Sequence, residues 1–161
     1  MGVIDDRISE LGLVLPPPIT VPAGVVLPSA FVRVHGDRAY VSGHGPQGPD
    51  GSLEGPFGLV GRDVSEEEAV SAARRTALSA LGSLQRALGS LDRITGWLRV
   101  FGMVAAVPGF ERQPVVINGF SDLIIDIFGA ERGAHARSAI GVASLPFAMP
   151  VEVEATVTIA P

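Results

Sequence analysis

HARSAIGVASLPFAMPVEVEA, the stretch from His135 to Ala155, contains two short apolar runs on either side of Leu145-Pro146. A Leu-Pro segment favours a turn, so the two runs are predicted to pair as antiparallel strands. Arg137 and Glu152 would then face one pocket, in which a fixed cation lies beside a carboxylate. Such a pair can hold an anionic substrate and transfer a proton.

The last strand of this stretch alternates between apolar and polar residues, as a half-buried β-strand does. One predicted face carries Val151, Val153, Ala155, Val157 and Ile159, and the other carries Glu152, Glu154, Thr156 and Thr158. On pattern alone, Glu152 also fits a solvated polar face, and Arg137 also fits a surface arginine or a structural ion pair. Both interpretations stay open at the level of this pattern.

The composition is that of one apolar domain. The chain has 161 residues, enough for a buried core, and 47% of them are hydrophobic, with a mean hydropathy of +0.38. No apolar run reaches the roughly 18 residues that cross a bilayer, and the N-terminal residues lack the pattern of a secretory signal. We therefore expect a cytoplasmic protein without a membrane partner, with much of its apolar surface buried, in part between subunits.

Charge and residue types exclude several classes of function. The formal net charge is −5 and no basic cluster occurs, which disfavours a nucleic-acid partner because phosphates need clustered cations. All 12 cationic side chains are arginine, so no lysine can form a Schiff base. The chain has no cysteine, and its 3 histidines lack metal-ligand spacing. We expect no metal site and no other cofactor.

The chain is predicted to divide into an N-terminal leader, residues 1–30, and a domain, residues 31–161. The leader contains a predicted short helix, since Ile4, Ile8 and Leu11 recur at helical spacing. Three consecutive prolines then end the helix and extend the chain.

A hairpin and a capped helix follow the leader. Residues 31–35 and 38–44 are predicted to be paired strands joined by a Gly-Asp turn. Residues 43–61 are dense in Gly and Pro and are predicted to form a long loop. Ser65-Glu-Glu-Glu68 is a capping box that starts a helix, and Gly89 is its expected end.

The strand predicted over residues 94–107 is apolar on both of its alternations, which is typical of a strand covered on two faces. One alternation contains Trp97, Phe101 and Met103, and the other contains Leu98, Val100 and Val104. A second helix is predicted over about residues 112–128, with Gly129 after its end. Strands around residues 136–143 and 151–159 close the chain.

These elements predict an α+β fold of the order β-β-α-β-α-β-β, with a single mixed sheet and two helices on one face. The opposite face would stay bare in a monomer, although the strand over residues 94–107 is apolar on both sides. Another subunit is the expected cover for that face.

Several motifs of the sequence resemble those of the RidA (YjgF) family. Ala136-Arg137-Ser138, Leu145-Pro146 and Val151-Glu-Val-Glu-Ala155 follow the pattern and spacing of its C-terminal motif. Tyr40-Val-Ser-Gly43 and Val116-Ile-Asn118 also fit the family. The similarity extends over most of the predicted domain.

The resemblance implies a chorismate-mutase-like fold assembled as a homotrimer, with clefts between subunits that bind a small carboxylate. It also implies a cofactor-independent activity, the hydrolysis of reactive enamine and imine acids to 2-oxo acids and ammonia. In that activity Arg137 would clamp the substrate carboxylate, and Glu152 would deprotonate the attacking water and return a proton to the amine. The carbonyl of Ala139 would orient the water, while Gly43 and Asn118 would line the cleft.

The sequence departs from the family pattern near the expected cleft. Family members usually carry a tyrosine before the first strand, and in this chain Ser29 and Phe31 lie nearest to that position. His44 stands where glutamine is common, either as a loop histidine or as a cleft residue that titrates near neutrality. His135 lies two residues before Arg137 and is therefore expected on the same face of the strand.

Two functions stay open. Besides an imine deaminase, the clefts fit a non-catalytic trimeric module that binds small carboxylates or another protein, because a fold does not fix its chemistry. The segment from Asn118 to Ala139 resembles a longer subgroup of the family, similar to members named endoribonuclease L-PSP. Ribonuclease activity is disfavoured by the acidic, lysine-free composition.

Overall fold

The computed structural model, which describes residues 2–161, contains a five-stranded mixed sheet and three α-helices. The elements are α1 (Val3–Glu10), β1 (Val32–His35), β2 (Arg38–His44), α2 (Glu66–Leu88), β3 (Ile94–Ala105), α3 (Gln113–Gly133), β4 (Ala136–Val142) and β5 (Val151–Ile159). The predicted α+β class with a single mixed sheet is confirmed. None of the helices in this part of the chain has both the length and the hydrophobicity that a membrane span requires.

Helix α2 begins at the predicted capping box. The Ser65 Oγ accepts a hydrogen bond from the Glu68 N–H at 3.2 Å, and the Glu68 carboxylate accepts one from the Ser65 N–H at 2.8 Å. These two bonds satisfy backbone donors that the helix itself cannot satisfy. The helix ends where expected, at Gly89, whose φ of 79° is the left-handed conformation that glycine adopts without strain.

Helix α3 extends beyond its predicted end. Gly129, expected to follow the helix, interrupts it with a φ of 78° and a ψ of 164°, and a further turn continues to Gly133. Helix α3 also packs closely on α2, since a Cβ added at Gly119 would lie 2.1 Å from the Val70 carbonyl oxygen. Buried side chains of both helices and of the sheet form one core.

The strand order of the sheet is β1-β2-β5-β3-β4, in which only β3 and β4 are parallel neighbours. The predicted pairing of the last two strands is therefore wrong: β4 pairs with β3, and β5 lies between β2 and β3. Helix α3 is the physical reason, because a helix that crosses over after β3 returns the next strand parallel to it. Pro146–Ala148 forms a short 3₁₀ turn on the way to β5 instead of a hairpin loop.

Strand β3 contains a β-bulge that changes which of its side chains share a face. Leu98 is an extra residue in the ladder with β5, so the alternation shifts by one position at this point. Trp97 turns to the helix side, where it is 2% exposed and packs against two phenylalanine rings of α3. Trp97 therefore shares the buried face of Val100, and the prediction that it lies on the face of Phe101 is wrong.

The face of the sheet opposite the helices is called the outer face below. In β5, the predicted alternation is confirmed: the apolar residues are buried on the helix side, and Glu152 and Glu154 lie on the outer face. The outer face also carries apolar side chains from other strands, including Phe101, Tyr40 at 43% exposure and Ile140 at 42% exposure. This part of the molecule is thus a mixed apolar and charged surface.

The leader packs against the domain. Ile4 and Ile8 of α1 are buried, and the Asp92 carboxylate accepts a hydrogen bond from the Ile4 N–H at 3.0 Å. The extended part of the leader lies against the loop that follows β2, where the Gln47 side chain donates to the Pro17 carbonyl oxygen at 3.2 Å. The leader thereby reaches the region in which β2 ends.

Candidate functional site

A pocket of about 260 Å³ lies at the end of β2, beside the start of β5. Its walls come from the leader, the loop after β2, the turn before β5 and β5 itself. The lining residues are Ile19, Thr20, Val21, Pro22, Leu27, Ser29, Phe31, Ser42, Gly43, His44, Gly45, Gln47, Leu53, Ser79, Pro146, Phe147, Met149 and Glu152. Three of the predicted site residues, Gly43, His44 and Glu152, are therefore brought together.

Glu152 is the one carboxylate among the described residues that line this pocket. Its side chain is half-buried and lies against Gly43, where an added Cβ would be 1.9 Å from the Glu152 Oε1. Burial raises the pKa of Glu152, and the negative charge of Glu154 raises it further. A carboxylate in this environment is a better base than an ordinary glutamate, because its pKa lies closer to neutral pH.

His44 is buried, and both of its ring nitrogens are hydrogen-bonded within the protein. Its Nδ1 lies 2.6 Å from the Ser42 carbonyl oxygen, so this nitrogen carries the proton. The Nε2 then accepts the proton of the Ser83 hydroxyl group at 2.9 Å. Burial lowers the pKa of His44, which favours this neutral form. The imidazole therefore lines the pocket as a wall next to the Phe31 ring, 5.6 Å away between centroids.

Besides Ser29 and Phe31, which the sequence placed near the expected cleft, the leader lines this pocket with residues that the sequence did not single out. Ile19, Val21 and Leu27 line it, together with Ser29 and Phe31, which precede β1. These residues belong to no regular element, so no periodicity indicates what they contact. The contact between the Gly-rich loop and the leader joins distant parts of the chain, and the local sequence pattern of either segment does not predict it.

Arg137 lies in a second cluster, on the helix side of β4. Its Nη1 donates to the Asn118 Oδ1 at 2.9 Å and to the Ser121 Oγ at 3.0 Å, and its Nη2 donates to the Pro114 carbonyl oxygen at 3.3 Å. Among residues 2–161, no carboxylate lies within ion-pair distance of this guanidinium. Its Nε–H and second Nη2–H remain for a ligand, and such a pair can bind a carboxylate in bidentate fashion.

His135 supports the Arg137 cluster through Ser121. The His135 Nδ1 lies 2.7 Å from the Gly133 carbonyl oxygen and therefore carries the proton, so that the Nε2 accepts from the Ser121 hydroxyl group at 2.9 Å. The Ser121 oxygen is thus left as an acceptor for Arg137. Burial lowers the pKa of His135, and the positive charge of Arg137 acts in the same direction. Ser121 was missed from the sequence, although its place three residues after Asn118 puts both on one face of α3.

Arg137 and Glu152 do not share a pocket within one chain. Arg137 pairs with Val100 and lies on the helix side, whereas Glu152 pairs with Met103 and lies on the outer face. Arg137 is not among the residues that line the Glu152 pocket. The prediction of one shared pocket was based on adjacent strands, and β3 separates the two. Ala139 follows Arg137 on the same side of β4 and packs against the core.

The two clusters differ in what they offer chemically. The Glu152 pocket supplies a proton acceptor with a raised pKa, and the Arg137 cluster supplies a fixed cation with free donors. No group of three or more potential metal-ligating side chains occurs within residues 2–161. The chemistry that these residues can perform themselves is anion binding and proton transfer.

Comparison with known proteins identifies relatives along most of the chain. Protein TCP17 of Trypanosoma cruzi is 42% identical over 122 residues, which are 76% of this chain and 75% of that protein. The structure of Atu1372 from Agrobacterium tumefaciens, of unknown function, is 41% identical, with a TM-score of 0.84 over 98% of this chain and 93% of its own. A candidate endoribonuclease from Shewanella oneidensis is 26% identical, with a TM-score of 0.83 over 98% of this chain and 100% of its own. No family model matches the chain.

The relatives and the sequence motifs indicate the same protein family. Both solved structures match 98% of the chain with TM-scores above 0.8 and therefore share its overall fold. The motif residues Arg137, Leu145-Pro146 and Glu152 lie in this shared fold. The chain belongs to the RidA (YjgF, endoribonuclease L-PSP) family.

Proposed function

We propose that the protein hydrolyses reactive 2-imino acids to 2-oxo acids and ammonia, without a cofactor, in a cleft between subunits. The observation that carries this proposal is the half-buried Glu152 carboxylate. It lines the pocket beside Gly43, and burial raises its pKa. A carboxylate in this state can take a proton from water and return it to an amine. Arg137 supplies the matching cation for the substrate carboxylate.

The positions of the two residues favour a cleft made by two copies of the chain. Arg137 and Glu152 lie on opposite faces of one sheet, so a site that contains both must take each from a different subunit. The outer face supports such an assembly, because Tyr40, Leu98 and Ile140 are each at least 40% exposed on this sheet. A homotrimer with chorismate-mutase-like subunits has closed symmetry and gives three identical clefts, and we propose this state.

The proposed reaction balances with one water and one imine. Glu152 removes a proton from the water as the water oxygen bonds to the carbon of the protonated imine, whose nitrogen takes the electron pair of the double bond and becomes a neutral amine. The protonated Glu152 then gives its proton to that amine, and the carbon–nitrogen bond breaks. The hydroxyl proton is lost as the carbonyl of the 2-oxo acid forms, and together with the ammonia it gives ammonium. Arg137 of the neighbouring subunit holds the substrate carboxylate in place throughout, with Asn118 fixing the guanidinium.

Family members usually carry a tyrosine before the first strand, and in this proposal the segment before β1 forms the wall that the tyrosine would provide. Ser29 and Phe31 line the pocket near Glu152, so that the cleft has a wall on this side. The backbone at Gly43 and the carbonyl of Ala139 are the proposed contacts of the substrate and of the water. The imidazole of His44 acts as wall, since its nitrogens are already engaged.

The proposed function is tested with imines that are made in the reaction mixture. A dehydratase that acts on threonine releases 2-iminobutanoate, and the purified protein is expected to accelerate ammonia release above the uncatalysed rate. The same rate with and without the protein would contradict the proposed activity. In that case, a rise of Tm with 2-oxobutanoate that is lost in Arg137→Ala would support the carboxylate-binding module instead.

Other parts of the proposal follow from the sequence. We propose a cytoplasmic location, no membrane partner and membership of a longer subgroup of the family. Although one relative is named a candidate endoribonuclease, we propose no nucleic-acid partner, because the chain has a net charge of −5 and no lysine. Incubation with single-stranded RNA is expected to leave the RNA intact.

Gly43→Ala is expected to lower kcat/KM for 2-iminobutanoate by at least about tenfold with little loss of stability. The added Cβ would lie 1.9 Å from the Glu152 Oε1, and the flexible end of that side chain can move away at small cost in free energy. Steady-state rates and urea unfolding measure the two effects. Gly48→Ala is the matched control, because its Cβ would meet no atom closer than 3.3 Å. Full activity in Gly43→Ala would show that the position of Glu152 is unimportant.

The acidic limb of the pH–rate profile is expected above the usual pKa of a glutamate. Glu152 acts as a base in its ionised form, so activity is lost as the pH falls through its raised pKa. Glu154→Gln removes the negative charge that helps to raise the pKa of Glu152, and it is therefore expected to move this limb to lower pH. Glu131→Gln, an exposed change on α3, serves as control. If the acidic limb does not move in Glu154→Gln, the limb reports the titration of a group other than Glu152.

A further inference from the structure

The Glu152 pocket is larger than a small imino acid requires. Its volume of about 260 Å³ corresponds to roughly eight or nine water molecules at about 30 Å³ each. In the proposed site, the carboxylate of the substrate binds Arg137 of the neighbouring subunit, outside this volume. The pocket is then left for the side chain of the substrate, and the ethyl group of 2-iminobutanoate would fill only part of it.

The walls of the pocket are mostly apolar. Val21 and Leu27 of the leader face it together with Phe31, and the turn before β5 adds Phe147 and Met149. Leu27 and Phe147 are each 48% exposed in the single chain, which is unusual for large apolar side chains unless they meet a ligand or a partner. Apolar walls of this kind favour an apolar group by removing it from water.

The turn that presents Phe147 is held in an unfavourable conformation. Phe147 and Ala148 have φ values of 56° and 57°, in the left-handed region that residues with a Cβ rarely adopt. The Gly58 N–H donates to the Ala148 carbonyl oxygen at 2.8 Å, and the Met149 N–H donates to that of Pro146 at 3.2 Å. Backbone conformations of this kind concentrate at sites that contact ligands.

The side chains of Ser42, Gln47 and Ser79 in the pocket walls already have hydrogen-bond partners within the protein. The Ser79 hydroxyl group donates to the Gln47 Oε1 at 2.5 Å, and the Gln47 Nε2 donates to the Gly51 carbonyl oxygen at 3.0 Å. The Ser42 hydroxyl group donates to the Ala30 carbonyl oxygen at 2.7 Å. A polar substrate side chain would lose its hydrogen bonds to water on entering the pocket, and these occupied groups would not replace them. Its binding is therefore disfavoured.

We infer that the preferred substrates are 2-imino acids with large apolar side chains, of the size of leucine or phenylalanine side chains, which bind in the pocket between the leader and Phe147. This inference rests on the proposed function, since it assigns a substrate class to the same site. The leader residue Leu27 is then a determinant of specificity. A larger apolar group gains binding free energy for each additional carbon that it buries.

The inference is tested with imines that an L-amino-acid oxidase produces from leucine and from alanine, with catalase present to remove peroxide. We expect kcat/KM to be at least about tenfold higher for the leucine-derived imine, as expected for several methylene groups in an apolar pocket. Leu27→Ala is expected to lower this ratio several-fold. Val26→Ala is the matched control, because Val26 is adjacent in the leader, 86% exposed and outside the pocket lining.

The outcomes separate the inference from the proposed function. If both imines are hydrolysed and the alanine-derived imine is preferred or equal, the inference is overturned and the function stands. If neither imine is hydrolysed faster, the proposed function fails, and binding of the two 2-oxo acids then tests only the part of the inference that assigns large apolar side chains to this pocket. A greater rise of Tm with 4-methyl-2-oxopentanoate than with pyruvate, reduced in Leu27→Ala, would support it. Equal shifts would overturn it.

Discussion

Glu152→Gln is expected to lower kcat for 2-iminobutanoate hydrolysis by about 10²–10⁴-fold, the usual range for the loss of a general base. The amide has nearly the same size and shape as the carboxyl group, but it cannot accept a proton from water at neutral pH. The half-buried place against Gly43 is therefore filled as before. The rate of ammonia release under saturating substrate measures the effect.

Binding and stability distinguish this loss from misfolding. The variant is expected to keep the proposed Tm increase with 2-oxobutanoate, since Arg137, the proposed clamp for the carboxylate, is unchanged. Its Tm without ligand is expected to be equal to or above that of the wild-type protein, because burial disfavours the ionised form of Glu152. Glu154→Gln, on the same strand face, is the control and is expected to keep most of the activity. If Glu152→Gln turned over imines at the wild-type rate, the base would have to be sought elsewhere.

Elements that depend on neighbouring residues in the chain could be predicted from the sequence. The alternation of β5 identified its buried face because one side of the strand packs on the helices and the other does not. The capping box at Ser65 and the glycine at Gly89 marked both ends of α2, since these groups satisfy the backbone of the helix locally. In each case the physical cause lies within a few residues.

Features that depend on distant contacts could not be predicted in this way. The partner of β4 depends on the crossover through α3, and an apolar strand pattern does not distinguish one neighbour from another. The face of Trp97 depends on the bulge at Leu98, which shifts the alternation by one residue. The Trp97 error arises because a period-two pattern specifies faces only within an unbroken ladder, whereas the pairing error arises because such a pattern does not specify the neighbouring strand.

The candidate site shows the same division. The sequence singled out Arg137 and Glu152 through the motif around them; Arg137 lies in a polar cluster, and Glu152 lines a mostly apolar pocket. It did not predict that they occupy opposite faces, since that follows from the strand order. Nor did it predict the wall that Leu27 forms, because an irregular segment carries no periodic signal. Because the two residues lie on opposite faces, a site that uses both needs two subunits, and the motif alone does not indicate this requirement.

Arg137→Ala is expected to lower kcat/KM for 2-iminobutanoate by about 10²–10³-fold, because two charge-assisted hydrogen bonds to the substrate carboxylate are lost. Arg137→Lys is expected to recover little of this activity, since an ammonium group cannot form the same bidentate pair. The 2-oxobutanoate-dependent rise of Tm is expected to disappear in Arg137→Ala. If that rise stays unchanged, the carboxylate binds at another place.

Because a homotrimer is the proposed assembly, mixed trimers provide the sharpest test of the position of Arg137 relative to Glu152. Each variant alone, Arg137→Ala or Glu152→Gln, has one damaged residue in every cleft. When the two variants are co-expressed in equal amounts, roughly a quarter of the clefts in randomly mixed trimers combine an intact Arg137 from one chain with an intact Glu152 from the next. Activity is therefore expected to recover to about a quarter of the wild-type value. No single chain carries both intact residues, so a mixture as inactive as its parents would rule out a site that is shared between subunits.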